Sequence, residues 1–368
     1  MIVNSIYLRN FRNYEEEKIE FDKKINIIYG NNAQGKTNIL EAIYLFSLGK
    51  SMKSARDADM IKFGASEGCV GINFTSRSRE IEGSILFESS KRKKILINEI
   101  PVRKNSELAG NLNVVFFGPE YLSLIREGPK KRRKNLDILI CQLKRGYLTA
   151  ISEYKRLNEQ KGKLLKDEIR DELLISVIEE KLLELSIYIS EVRFEYIKKI
   201  ERVAQKIQLE ISENKEVFEM HYISNGTYIN DDNIQNLSVL SEKRMLELKG
   251  REERYRECIF GPHRDDIEFF INGADLKMFG SQGQQKTAIL VQKIAEVELF
   301  FEETGEYPIL LLDDIMSELD SKRQDFVLNR IDKGQIFVTC TDSEKFKNLK
   351  SGKFLKIEKG RMTECTSI

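Results

Sequence analysis

Two groups of polar residues, far apart in the sequence, have the composition of a nucleotide site. The first is a short segment with a glycine at either end, followed by a lysine and a hydroxyl residue: Gly30, Asn31, Asn32, Ala33, Gln34, Gly35, Lys36 and Thr37. Such a loop aims its backbone N–H groups at an anion, its lysine at the β- and γ-phosphates and its hydroxyl at Mg²⁺. We therefore expect this segment to bind the phosphates of a nucleotide and Thr37 to be a Mg²⁺ ligand.

Two carboxylates near the other end of the chain would complete that chemistry. Asp313 and Asp314 follow the apolar run 309–312, which is typical of a central parallel strand. The carboxyl ends of such strands are where α/β sheets place their ligands. We expect Asp313 to be the second Mg²⁺ ligand and Asp314 to orient or deprotonate an attacking water. The predicted catalytic residues are Lys36, Asp313 and Asp314.

A second anion site is expected at the start of a long helix. The helix is predicted to run from Ser281 to about Thr304, and Ser281 and Gln284 have the spacing of a capping box. A helix N-terminus with small residues such as Ser281 and Gly283 attracts anions. Because the chain already has one anion site at Lys36, a second one indicates that two copies close around one nucleotide, each contributing a different half.

The elements that must hold these residues follow from the apolar patterns around them. Residues 25–29 form a run typical of a buried strand, residues 37–46 have helical spacing, and Gly49 is a helix stop. A strand, a glycine loop and a helix in this order are the context that a phosphate loop requires. Residues 53–115 alternate in short runs, which predicts an antiparallel sheet beside the nucleotide core.

The middle of the chain predicts a helical hairpin. From residue 131 to residue 207, apolar residues recur at spacings of three and four, the pattern of heptad seams. With a turn at 166–171, each arm would have about 30 residues and a length of roughly 45 Å. The hairpin is either an arm that clasps DNA or a partner protein, or a helical subdomain that packs only against itself.

Taken in order, these motifs resemble the SMC-like group of ATP-binding cassette ATPases and, within it, the RecF family of DNA repair proteins. The resemblance extends over nearly the whole chain. The residues that carry it, besides those above, are 8–14, Asn98, 118–120, 261–266, 281–285, 312–314 and 317–320.

The resemblance implies an α/β fold. The expected architecture is an ABC-type P-loop ATPase head of mixed sheets and helices, with a helical, short coiled-coil-like arm. Residues 1–125 would be the N-terminal part of the head, 126–257 the arm and 258–368 the C-terminal part of the head.

The resemblance also implies roles in a dimer. Thr341 takes the place of the switch histidine of many cassette ATPases, which indicates slow hydrolysis. No glutamine stands at the expected place near 116–120. The residues implied to contact the ATP held by a partner copy are Ser281, Gln282, Gly283, Gln284 and Asp320.

The function implied by the resemblance is that of an ATP-dependent DNA-binding protein. It would dimerise on ATP, hydrolyse it slowly under stimulation by DNA, and act in recombinational repair and replication-fork maintenance. The implied partners are double-stranded and gapped DNA, bound without sequence preference, RecR together with RecO, and indirectly RecA, which would be loaded at gaps.

The overall charge restricts where DNA could bind. Lysine and arginine number 60 and aspartate and glutamate 59, so the net charge is +1 and DNA must meet a local patch or a dimer groove. Two basic runs are candidates, one at a predicted hairpin turn and one at the start of the first long helix. Either run could instead be solvated, and Arg132 and Arg133 could pair inside the fold. The DNA-binding candidates are Lys91, Arg92, Lys93, Lys94, Lys130 and Lys131.

The remaining composition favours a reduced, cytoplasmic protein. The five cysteines are not spaced as a metal knuckle, and no apolar stretch approaches the roughly 20 residues of a membrane span, so no membrane partner is expected. No signal peptide is recognisable. His263 lies beside Asp265 and Asp266, where we predict an ion-pair cluster near the helix that begins at Ser281 in preference to a metal centre.

Four other functions are alternatives to the one that the resemblance implies. An ATP-gated DNA-binding scaffold without significant hydrolysis, and an SMC-like or ABC ATPase outside the RecF family, are the main alternatives. The heptad-bearing insert argues against the ATPase subunit of a membrane transporter. The motifs at 281–285 and 317–320 argue against a small-molecule kinase.

Overall fold

The computed structural model describes residues 1–53, 55–167, 169, 171–330, 334–346 and 351–367. The chain divides into two compact units. Unit 1 consists of Met1–Tyr121 and Glu296–Ile368, and unit 2 of Leu122–Ala295.

The elements follow the chain in mixed α and β order. The strands are β1 (Ile2–Phe11), β2 (Tyr14–Glu20), β3 (Ile25–Tyr29), β4 (Glu67–Ser76), β5 (Arg79–Glu88), β6 (Lys91–Ile97), β7 (Ile100–Pro101), β8 (Val114–Phe117), β9 (Phe218–Ser224), β10 (Thr227–Ile229), β11 (Asp266–Ile271), β12 (Ala274–Asp275), β13 (Ile309–Asp313), β14 (Ile336–Cys340), β15 (Lys353–Glu358) and β16 (Arg361–Ser367). The helices are α1 (Lys36–Leu48), α2 (Asn105–Leu108), α3 (Pro129–Leu143), α4 (Arg145–Leu164), α5 (Glu172–Ile211), α6 (Leu237–Tyr255), α7 (Gln282–Thr304) and α8 (Ser321–Arg330).

Unit 1 is built on an antiparallel and a mainly parallel sheet. The antiparallel strands have the order β2-β1-β4-β5-β6-β7. In the other sheet β15, β3, β14, β13 and β8 are parallel neighbours in this order, and β16 pairs antiparallel with β15. The predicted antiparallel sheet and the predicted buried strands at 25–29 and 309–312 are confirmed.

Helix α1 is fixed in the core of unit 1. Ile39, Leu40 and Ile43 are fully buried in a cluster that includes residues of both sheets, such as Val70 of β4 and Leu311 of β13. The helix ends at Gly49, as predicted, where φ is 68° and the N–H bonds the carbonyl of Leu45. The loop that directly precedes α1 is therefore attached to a helix that is fixed in the core.

Unit 2 contains the predicted helical hairpin, but the predicted arm lengths are wrong. The first arm is interrupted at Lys144, an extended residue with φ −129° and ψ 95° between α3 and α4. The second arm, α5, has 40 residues and spans about 60 Å. The apolar spacing continues across Lys144, so periodicity alone does not reveal the interruption. The predicted turn at 166–171 joins α4 to α5, and its residues 168 and 170 lie outside the described residues.

The rest of unit 2 leads the chain back towards α7. Strands β10, β9, β11 and β12 form an antiparallel sheet in this order, and α5 packs on β9 and on α4. Strands β11 and β12 form a hairpin around Asn272 and Gly273. The predicted helix to Thr304 is α7.

Candidate nucleotide-binding site

The predicted phosphate loop lies between β3 and α1, and its two glycines have physical reasons to be glycine. Gly30 has a φ of 145°, and a Cβ there would lie 2.4 Å from the carbonyl oxygen of Ile357. Gly35 has a φ of 113°, and its Cβ would lie 2.7 Å from the side chain of Asn13. Any other residue would be strained at both places. The loop residues Asn31, Asn32 and Ala33 are exposed.

Lys36 lies inside the loop. Its Nζ donates hydrogen bonds to the carbonyl oxygens of Gly30 at 2.7 Å and Asn31 at 2.8 Å. Burial lowers the pKa of this ammonium, and the nearby carboxylate of Asp314 opposes that shift. A buried positive charge at the N-terminus of α1 makes the loop a site for an anion.

The structure brings Thr37 and Asp313 together, although they are separated by 276 positions. The Thr37 hydroxyl donates to Oδ1 of Asp313 at 2.8 Å. Thr339 of the neighbouring strand β14 donates to the same oxygen at 2.7 Å. The backbone N–H of Asp314 in turn donates to Oγ1 of Thr339 at 2.9 Å. Sequence reasoning missed Thr339, although it stands in a buried apolar strand where a hydroxyl is unusual.

The backbone turns away from the direction of β13 at Asp314, immediately after Asp313. It has a left-handed backbone, with φ 51° and ψ 16°. Burial raises the pKa of its carboxyl, and Asp313 raises it further, while Lys36 lowers it. A carboxylate of increased basicity near a phosphate site has the chemistry of a general base.

The donor set at this edge of the sheet fits a Mg²⁺ ion. A threonine hydroxyl and a single carboxylate oxygen meet at 2.8 Å. Mg²⁺ prefers oxygen ligands and is usually bound by one or two carboxylates together with substrate phosphates and water. Thr37 and Asp313 are thus the residues that could hold the ion.

The N-terminal motif, residues 8–14, supports the phosphate loop through contacts that sequence reasoning did not identify. Arg12 makes two hydrogen bonds of 2.8 Å to the carboxylate of Glu41, which is fully buried in α1. Nδ2 of Asn13 donates to the carbonyl of Gln34 at 2.8 Å. The hydroxyl of Tyr14 donates to the carbonyl of Gly35 at 3.1 Å. A glutamate inside an otherwise apolar helix face was the signal for such a partner.

The hairpin of β15 and β16 lies against the same loop. Gln34 accepts hydrogen bonds from the N–H groups of Lys359, at 2.7 Å, and Gly360, at 3.0 Å. A cavity of about 950 Å³ opens here. Its lining includes Asn13, Tyr29, Gly30, Asn31, Gln34, Lys62, Thr341, Asp342, Ser343, Lys356 and Arg361. The volume suits a ligand as large as a nucleotide.

The second predicted anion site is a well-formed helix N-terminus in unit 2. The N–H of Ser281 donates to Oε1 of Gln284 at 3.0 Å, and the N–H of Gln284 donates to Oγ of Ser281 at 3.2 Å. The predicted capping box is confirmed. Ser281 and Gln282 are exposed and Gly283 is half-buried. Buried Gln285 accepts from Arg126 at 2.7 Å and donates to the Leu276 carbonyl at 2.6 Å, which holds the turn before the helix.

Asp320 lies at the surface of unit 1, at the start of α8. Its Oδ1 accepts a hydrogen bond from the N–H of Arg323 at 2.9 Å. The preceding segment is tied to the carboxylate edge of the sheet, because Oγ of Ser317 donates to the carbonyl of Asp314 at 2.7 Å.

The predicted ion-pair cluster around residues 261–266 is confirmed within unit 2. Arg193 of α5 is buried and bonds Asp265 at 2.8 Å and Asp137 at 3.0 Å. Arg132 pairs with Asp266 at 2.8 Å. These pairs tie α3 and α5 to the segment that enters β11.

His263, in the same segment, is neutral and lies between two hydrogen-bonding partners. Its Nδ1 lies 2.6 Å from the Tyr154 hydroxyl, and its Nε2 lies 3.1 Å from the Cys258 carbonyl. Burial lowers the pKa of His263 to about 4.

The first basic run follows the predicted hairpin turn directly: β5 and β6 form the hairpin, Glu88 is the register partner of Lys91, and residues 91–94 belong to β6. Lys91 and Lys94 both pair with Glu88, at 2.6 and 3.3 Å, and Lys93 pairs with Asp57 at 2.6 Å. The carboxylates of Glu88, on the other side of the turn, and of Asp57 thus compensate much of the charge of this run. Arg92 is exposed.

The second basic run opens α3, as predicted. Lys130 is exposed, and Lys131 pairs with Glu127 at 2.5 Å. Arg132 is buried in its pair with Asp266, and Arg133 donates to the carbonyl of Asp265. Arg132 and Arg133 therefore make contacts inside the fold, which was one of the predicted alternatives.

None of the helices in the described part of the chain combines the length and apolar character that crossing a bilayer requires.

Comparison with known proteins gives full-length matches. Residues 2–364 match the family model described as the RecF/RecN/SMC N terminal domain. The DNA replication and repair protein RecF of Acetivibrio thermocellus is 41% identical over 376 residues, which cover 98% of this chain and 99% of the relative. The protein of the same description from Alkaliphilus oremlandii is 39% identical, with coverage of 95% and 96%.

Solved structures agree. The recombination mediator protein RecF with ATP, from the RecFOR pathway, has a TM-score of 0.88 at 33% identity and covers 100% of this chain and 97% of its own. An SMC head bound to the C-winged helix domain of ScpA has a TM-score of 0.59 at 17% identity, covering 100% and 98%, and shows a likeness of fold. The predicted α/β ATPase-head fold is confirmed.

Proposed function

The chain belongs to the RecF/RecN/SMC family and, within it, to the RecF proteins, and from this premise we propose that it is an ATP-dependent DNA-binding protein of recombinational repair. The observation that carries the proposal is the hydrogen bond of 2.8 Å between Thr37 and Asp313. It unites the end of the phosphate loop with the carboxylate edge of the parallel sheet, which is the arrangement of a P-loop ATPase.

ATP is proposed to bind with its phosphates on the N–H groups of residues 30–37 and on Lys36. The cavity at β15 and β16, lined by Asn13 and Tyr29, would receive the rest of the nucleotide. Thr37 and Asp313 would hold Mg²⁺, which supplies positive charge to the phosphate oxygens when bound.

Hydrolysis is assigned to Asp314. Its carboxylate orients a water molecule and accepts its proton, and the raised pKa of this group supports the assignment. The sequence has two histidines, and neither follows β14, where Thr341 stands in the place of a switch histidine. We therefore expect slow turnover.

ATP is also proposed to join two copies of the chain. Ser281, Gln282, Gly283 and Gln284 form an exposed or half-exposed helix N-terminus, and Asp320 is an exposed carboxylate at the start of α8. Such a helix end attracts anions, so it would bind the γ-phosphate held by Lys36 of the other copy. A ligand that binds only the dimer shifts the equilibrium towards it by mass action.

DNA is proposed to bind non-specifically, in double-stranded or gapped form. The surface candidates remain Lys91, Arg92, Lys93, Lys94, Lys130 and Lys131. Several are paired with carboxylates, but surface ion pairs contribute only about 0–1 kcal/mol each, so phosphates can displace them. By the pathway of the solved relative, RecR with RecO and, indirectly, RecA are the proposed protein partners in the cytoplasm.

The proposal is tested by measuring ATP turnover and molecular mass together. The purified chain is assayed alone and with gapped, duplex or single-stranded DNA, and light scattering is recorded with and without a non-hydrolysable ATP analogue. We expect slow turnover that gapped or duplex DNA increases, and a dimer only with the analogue. Lys36→Ala is the control that should remove both signals.

Two results would change the conclusion. If ATP is bound but not hydrolysed under any condition, the ATP-gated scaffold replaces the ATPase. If the mass stays that of a monomer when the analogue is saturating, the shared site is wrong.

A further inference from the structure

A single hydroxyl connects the two carboxylates of the proposed ATPase site. Thr339 is fully buried in β14, and its register partner in β13 is Asp313. Its Oγ1 lies 2.7 Å from Oδ1 of Asp313 and 2.9 Å from the backbone nitrogen of Asp314.

The direction of these two hydrogen bonds is fixed by their chemistry. A backbone N–H can only donate, so Oγ1 of Thr339 accepts the bond from Asp314. The hydroxyl hydrogen is then available for the carboxylate of Asp313, which can only accept when ionised. Thr37 donates to the same oxygen at 2.8 Å. Oδ1 of Asp313 is therefore fixed from two sides.

The bond to the backbone has a second consequence for Asp314. A residue other than glycine in the left-handed region costs roughly 1–2 kcal/mol and persists where neighbours hold it. Asp314 has φ 51° and ψ 16°. Thr339 holds its N–H, and Ser317 donates to its carbonyl at 2.7 Å. The direction in which the Asp314 side chain leaves the strand depends on these bonds.

The residue type itself argues for a polar role. The three residues before Thr339 in β14, Ile336, Phe337 and Val338, are apolar and fully buried. Valine has nearly the shape of threonine and suits a buried strand. A hydroxyl placed there has a desolvation cost unless it is hydrogen-bonded, and both of its bonds go to the proposed catalytic edge.

We propose that Thr339 is a positioning residue for ATP hydrolysis, which fixes the Asp313 carboxylate and the backbone of Asp314. This inference rests on the proposed function and adds to it a residue that acts through the two aspartates. Nucleotide affinity, which depends mainly on the loop and Lys36, is then separable from the rate of the chemical step.

The test compares Thr339→Val, which removes only the hydroxyl, with Thr339→Ser, which keeps it. Thr75→Val is the matched control, because Thr75 is a half-buried strand residue of β4 whose hydroxyl bonds Asn4. We expect Thr339→Val to lower kcat about 10- to 100-fold, the cost of a small misplacement in an active site. The dissociation constant of the ATP analogue should change less than about threefold. Thr339→Ser and Thr75→Val should stay close to the unaltered chain.

Hydrogen exchange gives a readout that does not depend on activity. The Asp314 amide should exchange about tenfold faster in Thr339→Val, because it loses its acceptor, and at the original rate in Thr339→Ser. In an Asp314→Asn background, Thr339→Val should lower the residual turnover by much less than it does alone, since the two changes affect one function.

The inference is overturned if Thr339→Val keeps kcat within threefold, or if Thr339→Ser is as slow as Thr339→Val. It is also overturned if the fold-losses in turnover of Thr339→Val and Asp314→Asn simply multiply in the double variant. These results leave the proposed function intact, because the unaltered chain still turns over ATP. An unaltered chain that binds but never hydrolyses ATP would refute both.

Discussion

The buried ion pair behind the phosphate loop gives the sharpest test of how the site is supported. In Arg12→Met a side chain of similar length loses its charge, and the carboxylate of Glu41 keeps its place in α1. Glu41 is fully buried, and its remaining side-chain donor is the hydroxyl of Ser51. Arg12 also donates to the carbonyl of Asp59 at 2.7 Å, and that bond is lost as well.

The size of the effect follows from the burial of the two partners. Removing one member of a buried ion pair typically costs about 3–5 kcal/mol, because the other charge is left without compensation. The Arg12 side chain is 19% exposed and Glu41 is 0% exposed. Since water reaches part of the pair and Ser51 remains, we expect the lower end, a loss of about 3 kcal/mol in the free energy of unfolding. That is a change of roughly a hundredfold in the unfolding equilibrium constant.

The assay is urea unfolding followed by circular dichroism, since the chain has no tryptophan. Arg12→Met is compared with Glu41→Leu and with the double variant. The double variant should recover about 2 kcal/mol relative to the sum of the two single changes, because an apolar pair leaves no buried charge. Affinity for an ATP analogue should fall in Arg12→Met, since the adjoining Asn13 and Tyr14 hold the loop carbonyls.

Strict additivity would refute the reasoning. If the double variant loses the sum of the two single losses to within about 0.5 kcal/mol, Arg12 and Glu41 are not coupled. Unchanged ATP affinity in a destabilised Arg12→Met variant would show that the N-terminal motif supports the fold and leaves the loop unaffected.

Three further predictions concern other parts of the molecule. Lys36→Ala should abolish tight ATP binding, whereas Ser281→Arg should keep it and block dimers, and light scattering with the analogue separates the two. Asp314→Asn should trap an ATP-bound dimer, and rapid turnover by that variant would remove Asp314 from its proposed role. His263 has a pKa of about 4 in the folded chain against an ordinary 6.5. The unfolded chain therefore takes up the proton first as the pH falls below 6.5. The contribution of the neutral imidazole to the free energy of unfolding is fully present above pH 6.5 and is lost as the pH falls towards 4. The loss is at most about 3 kcal/mol. Urea midpoints between pH 7 and 4.5 should fall less in His263→Gln than in the original chain.

Local patterns gave the parts of the site that are continuous in sequence. A β-branched run, a glycine loop and a helix with Gly49 as its stop were predictable, because each is set by neighbouring residues. Ser281 and Gln284 were predictable as a capping box for the same reason. The pairing of Thr37 with Asp313 was predictable from the Mg²⁺ chemistry of the two motifs, although nothing local to either residue specifies the other.

The parts that were missed depend on contacts between distant segments. Arg12 and Glu41, or Gln34 and Lys359, leave no periodic signal, because a side-chain hydrogen bond needs only one residue from each segment. The interruption at Lys144 was missed for a related reason: the apolar spacing that marks a helix continues across it. The pairing of Lys93 with Asp57 in the first basic run was missed because the two residues are 36 positions apart.

The position of β3 in its sheet has a consequence for how the protein is made. Its neighbours on either side are β14 and β15, and Gln335, at the entrance to β14, bonds Val3 across 332 positions. The phosphate loop is synthesised about 300 residues before either of these two strands. Such distant pairings also slow folding. A nascent chain should therefore have no ATP affinity until translation has passed β15, because its central strand β3 lacks both neighbours until then.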